Sequence, residues 1–134
     1  ILKRKPALQP QAIVLSATLR LARSTEAAVQ AKMNAIAEKR RRSQPPGATM
    51  GSMFRNPPGD YAGRLIEAAG LKGACVGEAE ISSRHANYFI NHGSATAADI
   101  RTLIKMAQKA VADKFGVKLE LEIILVGDFP DLAP

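Results

Sequence analysis

The sequence predicts an α+β domain in which helices pack on one mixed or antiparallel sheet. Strand-like and helical segments alternate along the chain, and short, hairpin-like extended segments lie in its middle. The length of 134 residues suits one domain, and 46% hydrophobic with 23% charged residues is typical of a soluble globular protein. No internal repeat or low-complexity segment points to another class.

The amino-terminal third is predicted to form a strand followed by a helix. Residues 12–21 are rich in β-branched and apolar side chains, which predicts a strand. Residues 23–25, Arg-Ser-Thr, supply an N-cap candidate, and the helix is expected to run to about Arg42, with cations in its last turn. The apolar stripe of this helix consists of Val29, Met33 and Ile36.

The middle third is predicted to hold a short helix and two extended segments. Asp60 is expected to cap a helix that runs through Ala69. Residues 74–81 are predicted to be extended, with an interruption at Gly77 that indicates a bulge or a close backbone approach. Residues 88–90 are predicted to form a short strand.

The last third carries the clearest helix signal of the chain. Thr96 is the predicted N-cap, Asp99 takes the acidic position of a capping-box-like start, and Gly116 is expected to end the helix. Residues 117–123 then alternate strictly between apolar and charged side chains, and residues 124–126 are all apolar. This pattern predicts a half-buried strand that becomes fully buried.

The charge distribution suggests an anionic partner. The net charge is +7 and the pI is about 9.9, with the excess in residues 3–5 and 38–42. A nucleic acid and a phosphorylated small molecule both fit, and so does solvated charge at a helix end. The absence of Trp, with only six Phe or Tyr residues, weakens the nucleic-acid interpretation because few bases could stack on aromatic rings.

Several other classes are disfavoured by composition. One Cys and two His, without zinc-ligand spacing, predict no closed zinc site. Neither Gly-x-Gly-x-x-Gly nor a P-loop is present, and no apolar run approaches the ~20 residues of a membrane span. Cys75 is a single cysteine that excludes an internal disulfide, and the opening residues show no signal peptide, so a cytoplasmic protein is expected.

The most distinctive stretch is the serine segment, residues 51–57, which reads Gly-Ser-Met-Phe-Arg-Asn-Pro. Proline-containing loops on both sides hold it in a fixed geometry, which suits either an edge strand or a site. Ser52, His85 and Glu122 form a triad on paper, but the second glycine of a nucleophile elbow is missing, which argues against a hydrolase. Glu122 either faces solvent or, if its face lines a cleft, pairs with Ser52 to deliver a proton.

The serine segment and the motifs around it resemble UDP-N-acetylenolpyruvoylglucosamine reductases, also called UDP-N-acetylmuramate dehydrogenases. The segment resembles the family's Gly-Ser-x-Phe-Lys-Asn-Pro signature, and the other motifs stand in the family's order. An ordered set of this kind rarely arises by accident. The resembling stretches are residues 40–45, 51–57, 62–73, 81–91, 95–100 and 119–123.

This resemblance implies a flavoenzyme of peptidoglycan precursor synthesis. In the family, NADPH reduces FAD, and the flavin delivers hydride to UDP-N-acetylglucosamine enolpyruvate to give UDP-N-acetylmuramate. By similarity, Ser52 is the proton donor and Glu122 assists at the same centre. Arg55 stands where a lysine is more usual, and a lysine found just before the serine loop in some members has no counterpart here. The substrate-binding residues implied by the resemblance are Arg40, Gln44, Arg55 and Asn56.

The resemblance also implies a division of the chain. Residues 1–22 resemble the tail of the FAD-binding domain, including its last strand, and residues 23–134 resemble the C-terminal substrate-binding domain. The expected partner is therefore a UDP-sugar rather than a nucleic acid or a membrane, and the chain alone is expected to be inactive. Two alternatives remain open, namely a basic nucleic-acid-binding module that uses residues 39–42 and a non-catalytic relic of the reductase fold.

Overall fold

The computed structural model describes residue 13 and residues 15–127, and it confirms the α+β class. Among these residues, β1, β2 and β3 form an antiparallel sheet in the order β1-β2-β3, and α3 packs against β1, β2 and α2. The elements are α1 (Glu26–Ser43), α2 (Ala62–Ala68), β1 (Cys75–Val76), β2 (Ala79–Ile81), β3 (Phe89–Asn91) and α3 (Ala97–Phe115).

The core lies between α2, α3 and the sheet, and it takes in the middle of the serine segment. Burial of these apolar side chains is the main favourable contribution to folding. Its largest members are Met53, Phe54, Leu65, Ile66, Ile81, Phe89, Leu103, Val111 and Leu119, each at most 1% exposed.

Helix α3 begins and ends as predicted. The Thr96 hydroxyl accepts a hydrogen bond from the Asp99 N–H at 3.1 Å, and the Asp99 carboxylate accepts one from the Thr96 N–H at 2.8 Å. This reciprocal capping box satisfies two amides that the helix leaves unpaired. At the other end Gly116 adopts a left-handed conformation with φ +66°, which a glycine allows without a steric cost.

Helix α2 ends as expected but begins differently. Leu71 N–H donates to Ile66 C=O and Gly70 N–H donates to Glu67 C=O, which is the Schellman pattern. Asp60 was predicted to be the N-cap, and this prediction is wrong. The helix begins at Ala62, and its first N–H donates to the side-chain oxygen of Asn56 at 3.0 Å.

Gly77 lies in the hairpin turn between β1 and β2 rather than in a bulge. Val76 pairs with Ala79, so Gly77 and one further residue form a two-residue loop, and Gly77 has φ +53°. The predicted close approach is present as well, because a Cβ on Gly77 would lie 2.8 Å from a carboxylate oxygen of Asp99. A glycine is therefore needed here for two reasons.

Gly77→Ala is expected to lower the free energy of unfolding by about 1–3 kcal/mol, because it adds backbone strain and pushes Asp99 out of its capping position. Gly59 is the matched control, since it has φ +78° but no atom within 4 Å of a built Cβ. Urea unfolding of both variants measures the difference. Equal losses of stability would mean that the Asp99 carboxylate moves aside without cost.

Two strand predictions are wrong. Residues 12 and 14 of the predicted strand 12–21 lie outside the described residues, and the others are exposed and form no strand. The reason is that no segment of the described chain pairs with them, and an extended chain without a partner leaves its hydrogen-bonding groups to water. Residues 117–126 form only one bridge, from Leu121 to Phe54, instead of a continuous strand.

The alternation within residues 117–123 was nevertheless a good guide to burial. Leu119 is 1% exposed, and Glu120 and Glu122 on the other face are exposed, as predicted. The predicted full burial of the following residues is wrong, since Ile124 and Val126 are 87% and 86% exposed.

Helix α1 is confirmed in its bounds but stands apart from the core. Thr25 accepts a hydrogen bond from the Ala28 N–H at 3.3 Å, as expected of an N-cap, yet the helix has no buried residue. Its apolar stripe, Val29, Met33 and Ile36, is 47%, 58% and 52% exposed. The described part of the chain contains no helix that is both long and apolar enough to cross a membrane.

Candidate functional site

The serine segment lies between two neighbouring stretches of chain and is not an edge. On one side Ser52 forms a bridge with Tyr88, and Met53 N–H donates to Asn87 C=O at 2.8 Å. On the other side Met53 C=O accepts a hydrogen bond from Glu122 N–H at 2.9 Å. The backbone around Ser52 is therefore fixed from both sides.

A buried amide completes this pairing at Phe54. The Asn87 side chain accepts a hydrogen bond from Phe54 N–H at 2.9 Å and donates one to Phe54 C=O at 2.8 Å. Asn87 is only 4% exposed, so neither backbone group of Phe54 could reach water instead. The amide thus stands in for the backbone of a neighbouring strand.

Apolar anchors next to Ser52 leave its hydroxyl at the rim of the core. Met53 is 0% exposed, and the Phe54 ring packs edge-on against Phe89 with centroids 6.2 Å apart. Ser52 itself is half-buried, and among the described residues its hydroxyl has no hydrogen-bond partner. A free hydroxyl on a rigid backbone is available to a ligand.

Ser52 opens into a cleft of about 380 Å³. This volume lies at the lower end of the ~300–1,000 Å³ that small-molecule sites occupy. Hydroxyl, amide, imidazole and guanidinium groups face the cleft, which suits an anionic, oxygen-rich ligand. Its lining residues are Ser52, Asn56, Tyr61, Gly63, Arg64, Glu67, Arg84, His85, Ala86 and Asn87.

Asn56 joins the serine segment to helix α2. Because its side-chain oxygen accepts the Ala62 N–H, the amide NH₂ group remains as the donor that it can offer to the cleft. Asn56 directly precedes Pro57, whose fixed φ limits the movement of the chain at this end of the segment. Ser52 and Asn56, two of the predicted site residues, therefore line the same cleft.

Arg64 on the rim of the cleft is paired with Asp60. The Arg64 guanidinium donates to both carboxylate oxygens of Asp60, one of them at 2.6 Å, and Tyr61 N–H donates to the same carboxylate at 2.7 Å. These bonds, chiefly the one from Arg64, lower the pKa of Asp60 from 3.8 to about 2.

Replacing Arg64 by Gln is expected to raise the pKa of Asp60 from about 2 towards its ordinary value of 3.8. Because the folded-state pKa is lowered, the contribution of the pair to stability is present above pH 3.8 and is lost as the pH falls through about 2. Titration of the Asp60 carboxyl carbon by NMR measures both values. Lys72→Gln, which removes a separate ion pair with Glu67, is the control and is expected to leave the titration unchanged.

The other predicted site residues lie near this cleft but do not line it. Arg55 faces a neighbouring cleft of about 250 Å³ with Lys118 and Glu120, and its guanidinium is 3.8 Å from the Glu120 carboxylate. Glu122 is exposed, and its N–H donates to Met53 C=O in the serine segment. Glu122 is not among the residues that line the Ser52 cleft.

Arg40 and Gln44 lie together at the end of α1. The Arg40 Nε donates to the Gln44 side-chain oxygen at 3.3 Å, and both residues line a pocket that also includes Arg84. Arg84 donates from one nitrogen to the carbonyls of Arg41 at 2.7 Å and Gln44 at 3.3 Å. Since Arg84 also lines the Ser52 cleft, it connects the two groups of predicted residues.

A metal ion receives no support from the geometry. In the part of the chain that the structure describes, no three His, Cys, Asp or Glu side chains are grouped so that they could hold one. The triad of Ser52, His85 and Glu122 is not assembled either, because no hydrogen bond joins His85 to Ser52 among the described residues. Hydrolysis by a Ser52–His85–Glu122 triad is therefore not supported by the geometry of the described residues.

A family model described as the C-terminal domain of UDP-N-acetylenolpyruvoylglucosamine reductase matches residues 43–126. The chain belongs to this family. The resemblance found in the sequence motifs is thereby confirmed.

Individual relatives carry the same name over a much longer chain. A UDP-N-acetylenolpyruvoylglucosamine reductase of Chloroflexus aggregans is 53% identical over 126 residues, which cover 94% of this chain and 42% of the relative. One from Anaeromyxobacter dehalogenans is 49% identical over 124 residues, covering 92% and 38%. The crystal structure of the reductase from Thermus caldophilus is similar with a TM-score of 0.63 and 36% identity, over 77% of this chain and 37% of that one.

Sequence reasoning about this reductase domain missed two contributors to the site and considered a third only in another role. Asn87 and Arg84 lie within the resembling stretch 81–91 but were not assigned roles, and His85 was considered only as a member of the triad on paper. Their contacts run to residues far away in sequence, such as the 33-residue separation between Asn87 and Phe54. The only sequence signal for these residues was a concentration of polar side chains between two short apolar stretches.

Proposed function

We propose that this domain binds substrate and donates a proton in an FAD-dependent, NADPH-using reductase that converts UDP-N-acetylglucosamine enolpyruvate to UDP-N-acetylmuramate. The observation that carries the proposal is the free hydroxyl of Ser52, on a backbone fixed from both sides, at a cleft that suits an anionic ligand. Membership of the reductase family supports it. The proposed setting is peptidoglycan synthesis in the cytoplasm, with roles in cell shape and division.

Reduction of the enolpyruvyl double bond adds a hydride at one carbon and a proton at the carbon that bears the carboxylate. The residues of this domain act on the proton side. Ser52 lies where its hydroxyl can be offered to a ligand in the cleft, and Asn56 offers an amide NH₂ beside it. A positioned donor of this kind stabilises the charge that develops as the double bond is reduced.

Glu122 is proposed to assist at the same centre. Its N–H is bonded to Met53 C=O, so its backbone is held beside the serine segment, although its carboxylate is exposed. Arg55, Arg40 and Gln44 are proposed to bind anionic or polar groups of the substrate that extend beyond the Ser52 cleft. Arg55 keeps the positive charge of a lysine but has a planar guanidinium that prefers bidentate contacts.

FAD is proposed to be bound elsewhere in the longer protein. The Ser52 cleft of about 380 Å³ is too small to hold a flavin dinucleotide together with the proposed substrate. This chain spans only 42% and 38% of the two relatives named above, which leaves room for a flavin-binding part in proteins of that length. The proton donation proposed for Ser52 does not require that residues of this chain bind the flavin.

The proposed division of the chain assigns residues 1–22 to the tail of the FAD-binding domain and residues 23–134 to the C-terminal domain. Helix α1 then follows directly after the boundary. The exposed stripe of α1 supports an interface with the flavin-binding part, because apolar side chains at this spacing are normally covered. The family model matches residues 43–126, so nearly all of α1 lies outside the matched stretch.

The alternative of a basic nucleic-acid-binding module is weakened because part of its cationic cluster is paired within the helix. Within the predicted cationic cluster, Glu38 pairs with Arg41 at 2.8 Å and with Arg42 at 3.0 Å. These pairs offset part of the positive charge and give the cluster a role within the helix. A small-molecule partner is therefore favoured over a polyanion.

The test uses the full-length protein from which this chain derives. NADPH oxidation is followed with and without UDP-N-acetylglucosamine enolpyruvate, and the product is identified by mass spectrometry. Oxidation that depends on the UDP-sugar and yields UDP-N-acetylmuramate is the expected result. A protein that binds UDP-sugars without oxidising NADPH would instead be a relic, and steeply salt-dependent binding of DNA or RNA would favour the nucleic-acid module.

A further inference from the structure

The His85 side chain is held in one orientation at the wall of the Ser52 cleft. Its ring lies against the buried Gly63, where an added Cβ would be 2.9 Å from Cε1 and 3.2 Å from Nδ1. On another side it meets the Tyr88 ring edge-on, with centroids 4.9 Å apart. Gly63 does not need unusual φ, so a glycine at this position makes room for the imidazole.

The loop that carries His85 is fixed by a buried hydroxyl. Ser82 is 1% exposed, and its side-chain oxygen accepts hydrogen bonds from the N–H groups of Arg84 at 3.1 Å and His85 at 3.3 Å. This local bonding holds the chain in a turn before β3. The imidazole therefore projects from a rigid support.

The tautomer of His85 follows from a backbone contact. Asn87 N–H donates to Nδ1 at 3.3 Å, so Nδ1 is an acceptor and the neutral ring carries its proton on Nε2. Among the described residues, Nε2 has no hydrogen-bond partner. A half-buried N–H donor without a partner, in a cleft beside a free hydroxyl, is expected to meet a ligand.

The two arginines of the cleft already have partners. Arg64 is bonded to Asp60, and Arg84 is bonded to the carbonyls at the end of α1. His85, Ser52 and the amide NH₂ of Asn56 are thus among the donors in the cleft that the described residues leave free. Their shared position suits a ligand oxygen that carries negative charge.

We propose that His85 is a substrate-binding residue whose Nε2–H donates a hydrogen bond to an anionic oxygen of the ligand in the Ser52 cleft. This inference rests on the proposed function, because it takes the ligand to be the UDP-sugar substrate or its product. The anionic oxygen belongs either to the carboxylate or to the diphosphate of that ligand. A carboxylate oxygen and a diphosphate oxygen accept the same kind of hydrogen bond. The two sources are distinguished by comparing the dissociation constants of a ligand that has the carboxylate and of one that lacks it.

The experiment compares three variants of the full-length holoenzyme. His85→Phe keeps a ring against Gly63 and Tyr88 but has no donor. His85→Gln places an amide NH₂ near the position of Nε2, and His85→Asn places one near Nδ1. Dissociation constants are measured for UDP-N-acetylmuramate, which has a carboxylate, and for UDP, which has the diphosphate alone, while thermal unfolding monitors folding.

His85→Phe is expected to bind UDP-N-acetylmuramate on the order of 10- to 100-fold more weakly, the usual effect of losing a hydrogen bond to a charged group. His85→Gln is expected to retain most of the affinity and His85→Asn to lose it. A loss confined to UDP-N-acetylmuramate supports contact with the carboxylate, and an equal loss for UDP supports contact with the diphosphate.

Unchanged affinity in His85→Phe, or equal losses in the Gln and Asn variants, would overturn the inference. The wild-type protein separates this outcome from a failure of the proposed function. If the wild type oxidises NADPH in response to the enolpyruvyl substrate while His85→Phe binds normally, only the role of His85 is lost. If the wild type binds neither UDP compound, the proposed function itself fails.

Discussion

Ser52→Ala in the full-length protein is expected, on the proposed function, to slow reoxidation of the NADPH-reduced flavin by the enolpyruvyl substrate by about 10²–10⁴-fold, the usual effect of removing a positioned proton donor. The substitution deletes a half-buried hydroxyl that has no partner within the described chain, so it leaves the surrounding hydrogen bonds intact. Stopped-flow absorbance under anaerobic conditions measures the rate directly. Folding is expected to be preserved, because the bonds that fix Ser52 are made by its backbone neighbours.

Two controls identify the step that is lost. Reduction of the flavin by NADPH does not require the proton donor, and its rate is expected to be unchanged in Ser52→Ala. Ser83→Ala removes an exposed hydroxyl that does not line the cleft, and it is expected to react like the wild type. Equal reoxidation rates in Ser52→Ala and wild type would take the proton-donor role away from Ser52 while leaving the family assignment intact.

Asn87→Ala is expected to lower the free energy of unfolding by about 2–5 kcal/mol, since it leaves both buried backbone groups of Phe54 without a partner. Asn87 supplies an acceptor at 2.9 Å and a donor at 2.8 Å to these groups, and no water can replace it at 4% exposure. Urea denaturation of the purified protein measures the loss. The serine segment is expected to lose its fixed geometry together with stability.

Asn87→Asp is the informative second variant, because its protonated carboxyl keeps an acceptor for Phe54 N–H and a donor for Phe54 C=O, whereas the ionised carboxylate would lose the donor. Its stability is expected to fall between those of Asn87→Ala and the wild type at a pH where the carboxyl is protonated. Asn34→Ala, on the exposed face of α1, is the control and is expected to change stability by less than about 0.5 kcal/mol. A loss at Asn87 no larger than that of the control would mean that water satisfies Phe54 in the variant.

Local chemistry in the sequence was sufficient to predict several elements. The capping box of Thr96 and Asp99 and the left-handed Gly116 are decided by residues a few positions apart, and each was predicted correctly. The same holds for the alternation in residues 117–123, which placed Leu119 in the core. In these cases the interacting groups belong to one short stretch of chain.

Elements that depend on distant partners were not predictable in the same way. Strand propensity in residues 12–21 was misleading because a strand also needs a neighbour, and none of the described residues supplies it. Asp60 was a good N-cap by residue type, yet Asn56 reaches the helix start from six residues away. The same limit applies to the cleft, where Ser52 and Asn56 were predicted but the role of Asn87, and the contacts that orient His85, became apparent only in three dimensions.

The guanidinium of Arg84 links the carboxyl end of α1 to the wall of the Ser52 cleft. It clamps the carbonyls of Arg41 and Gln44 at the end of α1, while the same side chain forms part of the wall of the Ser52 cleft. A rotation of α1 about its carboxyl end must either break these bonds or pull that wall with it. As long as these hydrogen bonds hold, a movement of the helix changes the shape of the cleft through one side chain.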